Sequence, residues 1–353
     1  MKSSPALPTR RIIYGENDSM KNLMNLVWLI LTFGICVFSV QGQDNATNFY
    51  NRAMNERDKG DYDKAIADFT EAINLNSNYF EAYARRSSTK LLKDDYDGAI
   101  ADSTKAIQIN PKFAPAYNNR GVAEDNKKDF DGALADYNMA IKLDPKFWMP
   151  YQNIGDVKFE QKDYDNAIAN YTEALKLEND DFRKASSYYG RGLAKMKKND
   201  GDGAIADFTQ GIKLNPKYPD NYYLRGNIEK SKGDYDNAIA DYNRAVELNP
   251  KFVFAYCGRG DAKTGKYDDD GAIDDYTKAI EFDPKYTRAY WHRGLTKKHM
   301  SNYDGAIADF TKAIELDPKN AEIYRERSEL RRLTHDYDGA MSDLNKAASL
   351  GQN

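Results

Sequence analysis

The chain has 353 residues, 30% of them charged and 41% hydrophobic, a balance that excludes an intrinsically disordered protein. Basic residues number 51 and acidic ones 55, a net charge of −4, and the two signs are interspersed, so no basic surface for nucleic acid stands out. Cysteine occurs twice, at Cys36 and Cys257. Cys257 is alone in the main part of the chain and reads as a small helix residue, not half of a disulfide.

In chain order, the first 42 residues differ from the rest. From Leu26 to Val40 the sequence reads LVWLILTFGICVFSV, without a charge. Lys2, Arg10, Arg11 and Lys21 precede it, and the small Val40 and Gly42 follow it, just before Gln43. Basic, apolar and small segments in that order make a secretory signal. The run is short for a membrane span, which needs about 20 apolar residues. Met20 offers a second start that would give a signal of ordinary proportions. The reading is a leader over 1–42, either a cleaved signal or a single-pass membrane anchor through 26–40, then a short linker over 43–46. Either way the remainder is exported, periplasmic or secreted, or held at the membrane by one N-terminal helix.

The remainder is periodic. DYDKAIADF at 61–69 recurs as DYDGAIADS (95–103), DFDGALADY (129–137) and DYDNAIANY (163–171), and on through five more copies to DYDGAMSDL (336–344). Each step is 34 residues except one of 37, between Asp163 and Asp200. A fixed period of this size marks stacked supersecondary units. Each unit reads as two helices. The second opens at the Asp-Tyr-Asp turn, where acidic residues accept from free N–H groups and oppose the helix dipole. Its buried stripe in the first copy is Ala65, Ile66, Phe69, Ala72 and Ile73, spaced at helical period. Pro111, Pro145, Pro216, Pro250, Pro284 and Pro318 close most copies. Gly121, Gly155, Gly192, Gly226, Gly260 and Gly294 recur inside the first helix, at about 1 kcal/mol each against Ala. Such a residue suits a close helix approach, with Ala99, Ala133 and their equivalents expected opposite.

Period, helix pair, mid-helix Gly, the Ala and aromatic of the second helix and the closing Pro all resemble the tetratricopeptide repeat (TPR) over residues 46–353. The resemblance implies an all-α, right-handed superhelical solenoid of nine helix-turn-helix repeats, with the first helices lining the concave face. The repeats fall at about 46–79, 80–113, 114–147, 148–184, 185–218, 219–252, 253–286, 287–320 and 321–353. Two departures show. Tyr (83, 117, 151, 222, 256, 290, 324) replaces the usual Trp of the first helix, and Arg replaces a usual Leu just before the Gly.

That Arg recurs at 52, 86, 120, 191, 225, 259, 293 and 327, and an Asp on the second helix at 68, 102, 136, 207, 241, 275, 309 and 343. Only the fourth copy lacks them, with Ile154 and Asn170, so both charges vanish together. Positions that vary together suggest contact. The expectation is a partly buried bidentate pair in each repeat, such as Arg225 with Asp241 and Arg259 with Asp275, fixing register. A phosphate or acidic-ligand site is the rival role for the Arg row. The fourth copy also has Asn179 in place of the closing Pro and three extra residues within 178–189, which makes it the candidate bend.

The ninth copy is followed by no capping helix within the sequence, and Ala348 stands where earlier copies have Ile, Leu or Val. An unshielded last face makes a homodimer through the C-terminal repeat an expectation.

Catalytic chemistry finds no footing. His292, His299 and His335 lack partners at metal-ligand spacing, and the Asp-rich turn 268–271 lacks the loop spacing and closing Glu of an EF-hand. No phosphate loop or nucleophile motif occurs. No enzyme activity, cofactor or metal is expected. By the resemblance, the residue after the recurrent Tyr faces the groove. Tyr189, Tyr223 and Trp291 then form a partial aromatic strip for an extended peptide, and Asn227 and Asp261 stand where they would hydrogen-bond its backbone. The Lys and Asn pattern with which some relatives clamp a C-terminal carboxylate is absent. The sequence therefore reads as a non-catalytic scaffold for protein or peptide partners outside the cytoplasm. The alternatives are a self-assembling structural protein and an accessory subunit of an envelope enzyme.

Overall fold

A computed structural model describes residues 29–351, with side chains from Asp44 onward. The leader reading, signal or anchor, therefore lies mostly outside the described residues. Among the described residues no helix is long and apolar enough to cross a membrane, and no strand occurs.

The described residues form eighteen helices. They are α1 (Leu29–Asp58), α2 (Tyr62–Leu75), α3 (Phe80–Leu91), α4 (Tyr96–Ile109), α5 (Ala114–Asn126), α6 (Phe130–Leu143), α7 (Trp148–Glu160), α8 (Tyr164–Leu177) and α9 (Asp181–Lys197). Then come α10 (Gly201–Leu214), α11 (Pro219–Ser231), α12 (Tyr235–Leu248), α13 (Val253–Gly265), α14 (Asp269–Phe282), α15 (Thr287–His299), α16 (Tyr303–Leu316), α17 (Ala321–Leu333) and α18 (Tyr337–Leu350). Odd-numbered helices are the first of each pair. The chain divides into two compact units, Met1–Gly190 and Arg191–Asn353.

Each second helix starts for one reason. The first Asp of the turn is the N-cap and accepts from the backbone N–H three residues on, as Asp129 does from Gly132 and Asp268 from Gly271, both at 3.1 Å. Asn302 serves in the eighth repeat. The residue before each cap has a left-handed φ, between 59° and 85°. Only Gly60 and Gly233 carry the residue that this conformation favours; the others include Lys128 and Tyr267.

The recurrent glycines make room for a ring, not chiefly for an alanine. A Cβ on Gly121, Gly155, Gly260 or Gly294 would lie 2.7 Å from the ring of Tyr137, Tyr171, Tyr276 or Phe310 on the second helix of the same repeat. The expected alanine is present only through its backbone, the Ala133 carbonyl oxygen lying 3.1 Å from a Cβ on Gly121. Where the ring is missing, so is the glycine. Ser103 replaces the ring in the second repeat, and Ser87 replaces the glycine, donating to the Ala99 carbonyl at 3.0 Å.

Gly294→Ala tests this packing. Helix propensity favours the alanine by about 1 kcal/mol, but a buried ring beneath it resists, and overpacking costs about 1–3 kcal/mol. The expected net result is a lower thermal midpoint, measured by circular dichroism.

Candidate functional site

The recurrent arginines are placed first by chemistry and then by packing. Arg225 donates through Nε and Nη2 to the two oxygens of Asp241, both at 2.7 Å. The same fork joins Arg86 to Asp102, Arg120 to Asp136, Arg293 to Asp309 and Arg327 to Asp343. Arg52 pairs with Asp68, Arg191 with Asp207 and Arg259 with Asp275. A guanidinium carries its donors in a rigid planar fork, which suits this geometry. The third nitrogen reaches the preceding repeat. Nη1 of Arg86, Arg225, Arg293 and Arg327 donates at 2.9 Å to Thr70, Thr209, Thr277 and Thr311. Arg259 donates to Asn243 at 2.7 Å. The guanidinium groups of Arg86, Arg120, Arg259, Arg293 and Arg327 also lie over the recurrent Tyr three residues earlier, as Arg259 over Tyr256 at 5.3 Å.

The arginine is thus a staple within and between repeats, with Nε, Nη1 and Nη2 all committed inward. In the fourth repeat, buried Ile154 packs with Ala133, Tyr137 and Val157 in its place. The Thr or Asn acceptor was missed by sequence reasoning, although its recurrence just after the second-helix aromatic was visible.

One turn after the arginine, Lys90, Lys195, Lys263, Lys297 and Arg331 also reach the paired Asp, at 2.8–2.9 Å. The third and sixth repeats have Glu124 and Glu229 there, each with one buried oxygen lacking a partner. Burial, then the neighbouring Asp136 or Asp241, pushes both carboxyls up to about 7. A carboxyl whose folded pKa lies above its unfolded value opposes folding when ionised. The opposition is complete above the folded value and is gone below the unfolded one. Glu124→Gln is therefore expected to raise the melting midpoint at about pH 8, with the gain disappearing by about pH 4. Paired melts across that range check it.

The first-helix face of the second unit holds the other notable constellation. Asp261 on α13 accepts from Lys230 of α11 and from Arg288 of α15, both at 2.7 Å. Tyr276 donates its hydroxyl to the same carboxylate at 3.0 Å, and His292 Nδ1 lies 3.0 Å away. Burial acts to raise this carboxyl, but His292 and Lys230 outweigh it and hold it well below the ordinary carboxylate range. Two full cations thus share one carboxylate. Beside them lies an aromatic ledge. Tyr223 sits 5.1 Å from Phe252 and 6.5 Å from Phe254, and Phe254 sits 5.4 Å from Tyr286, measured between ring centres. Phe254 is 50% exposed despite its size, and the Arg288 side chain is equally open.

The sequence-derived groove residues are distributed as follows. Tyr223 belongs to the ledge. Trp291 is half-buried, packed against the core of repeats eight and nine, with its indole N–H unpartnered. Asn227 and Asp261 are already engaged within the chain: Tyr242 donates to the Asn227 side-chain oxygen at 2.7 Å, and Asp261 serves the cluster above. Tyr189 lies on α9 at the end of the first unit. Cys257, also at a groove position, is buried, and burial pushes its thiol up to about 12. Reading the sequence missed Lys230, Arg288, His292 and Phe254. They come from three helices, and only the stacking of first helices brings them together.

Comparison with known proteins agrees with this architecture. Family models described as TPR repeat or tetratricopeptide repeat match residues 46–79, 80–113, 114–147, 155–199, 185–218, 226–266 and 287–320. The chain belongs to the tetratricopeptide repeat family, whose fold is in general a protein-interaction scaffold. No curated protein matches it.

Among solved structures, PilF of Pseudomonas aeruginosa is 18% identical, with a TM-score of 0.54 over 60% of this chain and 94% of that one. A tetratricopeptide repeat protein from Parabacteroides merdae is 20% identical, with a TM-score of 0.52 over 67% and 93%. The Cut9–Hcn1 hetero-tetramer is 16% identical, with a TM-score of 0.53 over 76% of this chain and 52% of that one. These likenesses show the fold.

Proposed function

We propose that this protein is a non-catalytic scaffold that holds a peptide or protein partner on the first-helix face of its repeats, outside the cytoplasm. The observation that carries the reading is the aromatic ledge of Tyr223, Phe252, Phe254 and Tyr286 beside the cations around Asp261. Rigid aromatic anchors next to charged groups are what binding hot spots are made of. A ledge with excess positive charge suits an extended peptide that places an apolar side chain next to a carboxylate. The leader at 1–42 supports export. The test is affinity capture from the native organism with the full chain and with a Tyr223→Ala/Phe254→Ala variant. A partner held by the first and lost by the second supports the reading. The same partners on both would place the binding elsewhere.

A second reading is favoured by α18. Tyr337, Met341 and Leu344 lie on one face of it and are 61%, 60% and 48% exposed. A row of exposed apolar side chains at helical spacing suits association of two copies through this repeat. Sedimentation at several concentrations, with Met341→Glu/Leu344→Glu as control, decides it. A monomer at every concentration would end the reading.

A further inference from the structure

Neighbouring first helices meet through a fixed register. In the second unit Lys230 of α11 donates to Asp261 of α13, 31 residues on, at 2.7 Å. Lys298 of α15 donates to Glu329 of α17 across the same separation, at 2.5 Å. In the first unit the same register sets Asp125 of α5 beside Asp156 of α7, so a carboxylate stands where the other pairs have an ammonium.

The two aspartates are otherwise alike. Asp156 accepts from Tyr171 at 2.6 Å, as Asp261 does from Tyr276 at 3.0 Å. Asp156 is open to solvent, while Asp125 is partly covered. The nearby cation, Lys128, is held by Glu160 at 2.9 Å. Burial pushes Asp125 up to about 6, with Glu160 adding to it, whereas the cation-paired Asp261 lies far below.

A second, separate feature lies close to the same pair of carboxylates. Tyr137 is fully buried, yet its hydroxyl has no hydrogen-bond partner. The corresponding hydroxyls of Tyr171, Tyr242 and Tyr276 donate to Asp156, Asn227 and Asp261. In the third repeat that acceptor position is Val122, which cannot accept. The acidic groups that act most strongly on the stranded hydroxyl are Asp125 and Asp156.

We propose that this pair of carboxylates on α5 and α7 binds the ammonium of a lysine side chain from a partner peptide, donated to Asp125, to Asp156 Oδ2 and to the hydroxyl oxygen of Tyr137. An ammonium has three donors and no acceptor, which suits two neighbouring carboxylates and a hydroxyl oxygen that lacks a partner. No set of three or more metal-ligating side chains converges among the described residues, so a metal ion fits the place less well. Within the second unit the chain supplies its own example of the occupant in Lys230. The site rests on the reading of the first-helix face as the binding face.

Two experiments separate this site from that reading. The first needs no partner. Asp125→Lys writes the Lys230 arrangement into the first unit and is expected to raise the thermal midpoint. In carbon-detected NMR titration of the full chain, Asp156 should then titrate below the ordinary carboxylate range. An Asp156 titration that does not fall overturns the proposal. The second uses randomised displayed peptides on the full chain and on the Asp125→Asn/Asp156→Asn variant. Peptides selected by the natural chain are expected to share a lysine whose exchange for norleucine weakens binding about tenfold. The variant should bind both forms alike. Bound peptides with no shared lysine, or norleucine forms that bind equally well, overturn this site alone. Failure of any peptide to bind either chain overturns the binding-face reading and the site with it.

Discussion

Asp309→Ala is expected to destabilise the second unit by about 3 kcal/mol, the low end for removing one partner of a buried ion pair. Asp309 receives Arg293 Nε at 2.9 Å, Arg293 Nη2 at 2.7 Å and Lys297 Nζ at 2.8 Å. The carboxylate is 6% exposed and the two cations 16% and 19%. Taking the carboxylate away leaves two cations facing each other in a poorly solvated place. That penalty, more than the attraction lost, sets the size of the effect.

A contrast within the chain sharpens the prediction. Around Asp241 the second cation is replaced by Glu229, which lies 3.9 Å from Arg225. Asp241→Ala leaves a carboxylate close at hand and relieves the repulsion that raises Glu229, so its cost should be clearly smaller. Urea unfolding of both variants gives the comparison, and equal losses would refute the electrostatic account. The paired replacement Arg293→Met/Asp309→Leu should cost little, since an apolar pair can stand in for a buried ion pair. The fourth repeat already dispenses with the ion pair, with buried Ile154 in place of the arginine and with Asn170 donating to the Asn166 carbonyl.

Phe310→Ala should cost about 4 kcal/mol, the usual loss for truncating a fully buried aromatic ring. Phe310 has no exposed surface and packs in a cluster with Tyr290, Ala306, Ile314, Ile323 and Leu330. Its ring lies against Gly294, so the backbones of α15 and α16 are already close and cannot collapse far into the hole. The same geometry predicts coupling. Gly294→Ala, harmful beneath the ring, should become neutral or stabilising once Phe310 is alanine, an interaction of about 2 kcal/mol in a double-mutant cycle. Additive losses would show that the glycine has another purpose. Repeats lean only on their neighbours, so the loss should be local. Hydrogen exchange should speed up in α15 and α16 and the helices beside them, and hold steady in α5 and α6.

Much of this was legible in the chain. The constant period fixed the helix pairs, because a hairpin of one length can bury its apolar side only against another like it. The Asp that opens each second helix is a local device, a side chain three residues from the N–H it serves, and local devices are readable in sequence. The Arg and Asp rows were legible through their joint absence from the fourth repeat.

Other features were decided only by stacking. Glycine beneath a ring and threonine beneath a guanidinium are contacts between helices, and the letters alone do not say which small residue faces which large one. Asp261 read as a free peptide contact. The structure instead surrounds it with Lys230, Tyr276, Arg288 and His292, drawn from three other helices. Asp125 and Asp156 were unremarkable in a sequence with 55 acidic residues. They became a pair only when the register between first helices set them side by side. Spacing along the chain determines which elements form, through local hydrogen bonding and periodic burial. Which charges meet across those elements depends on the offset between neighbouring helices, and that offset is set by side-chain packing in three dimensions.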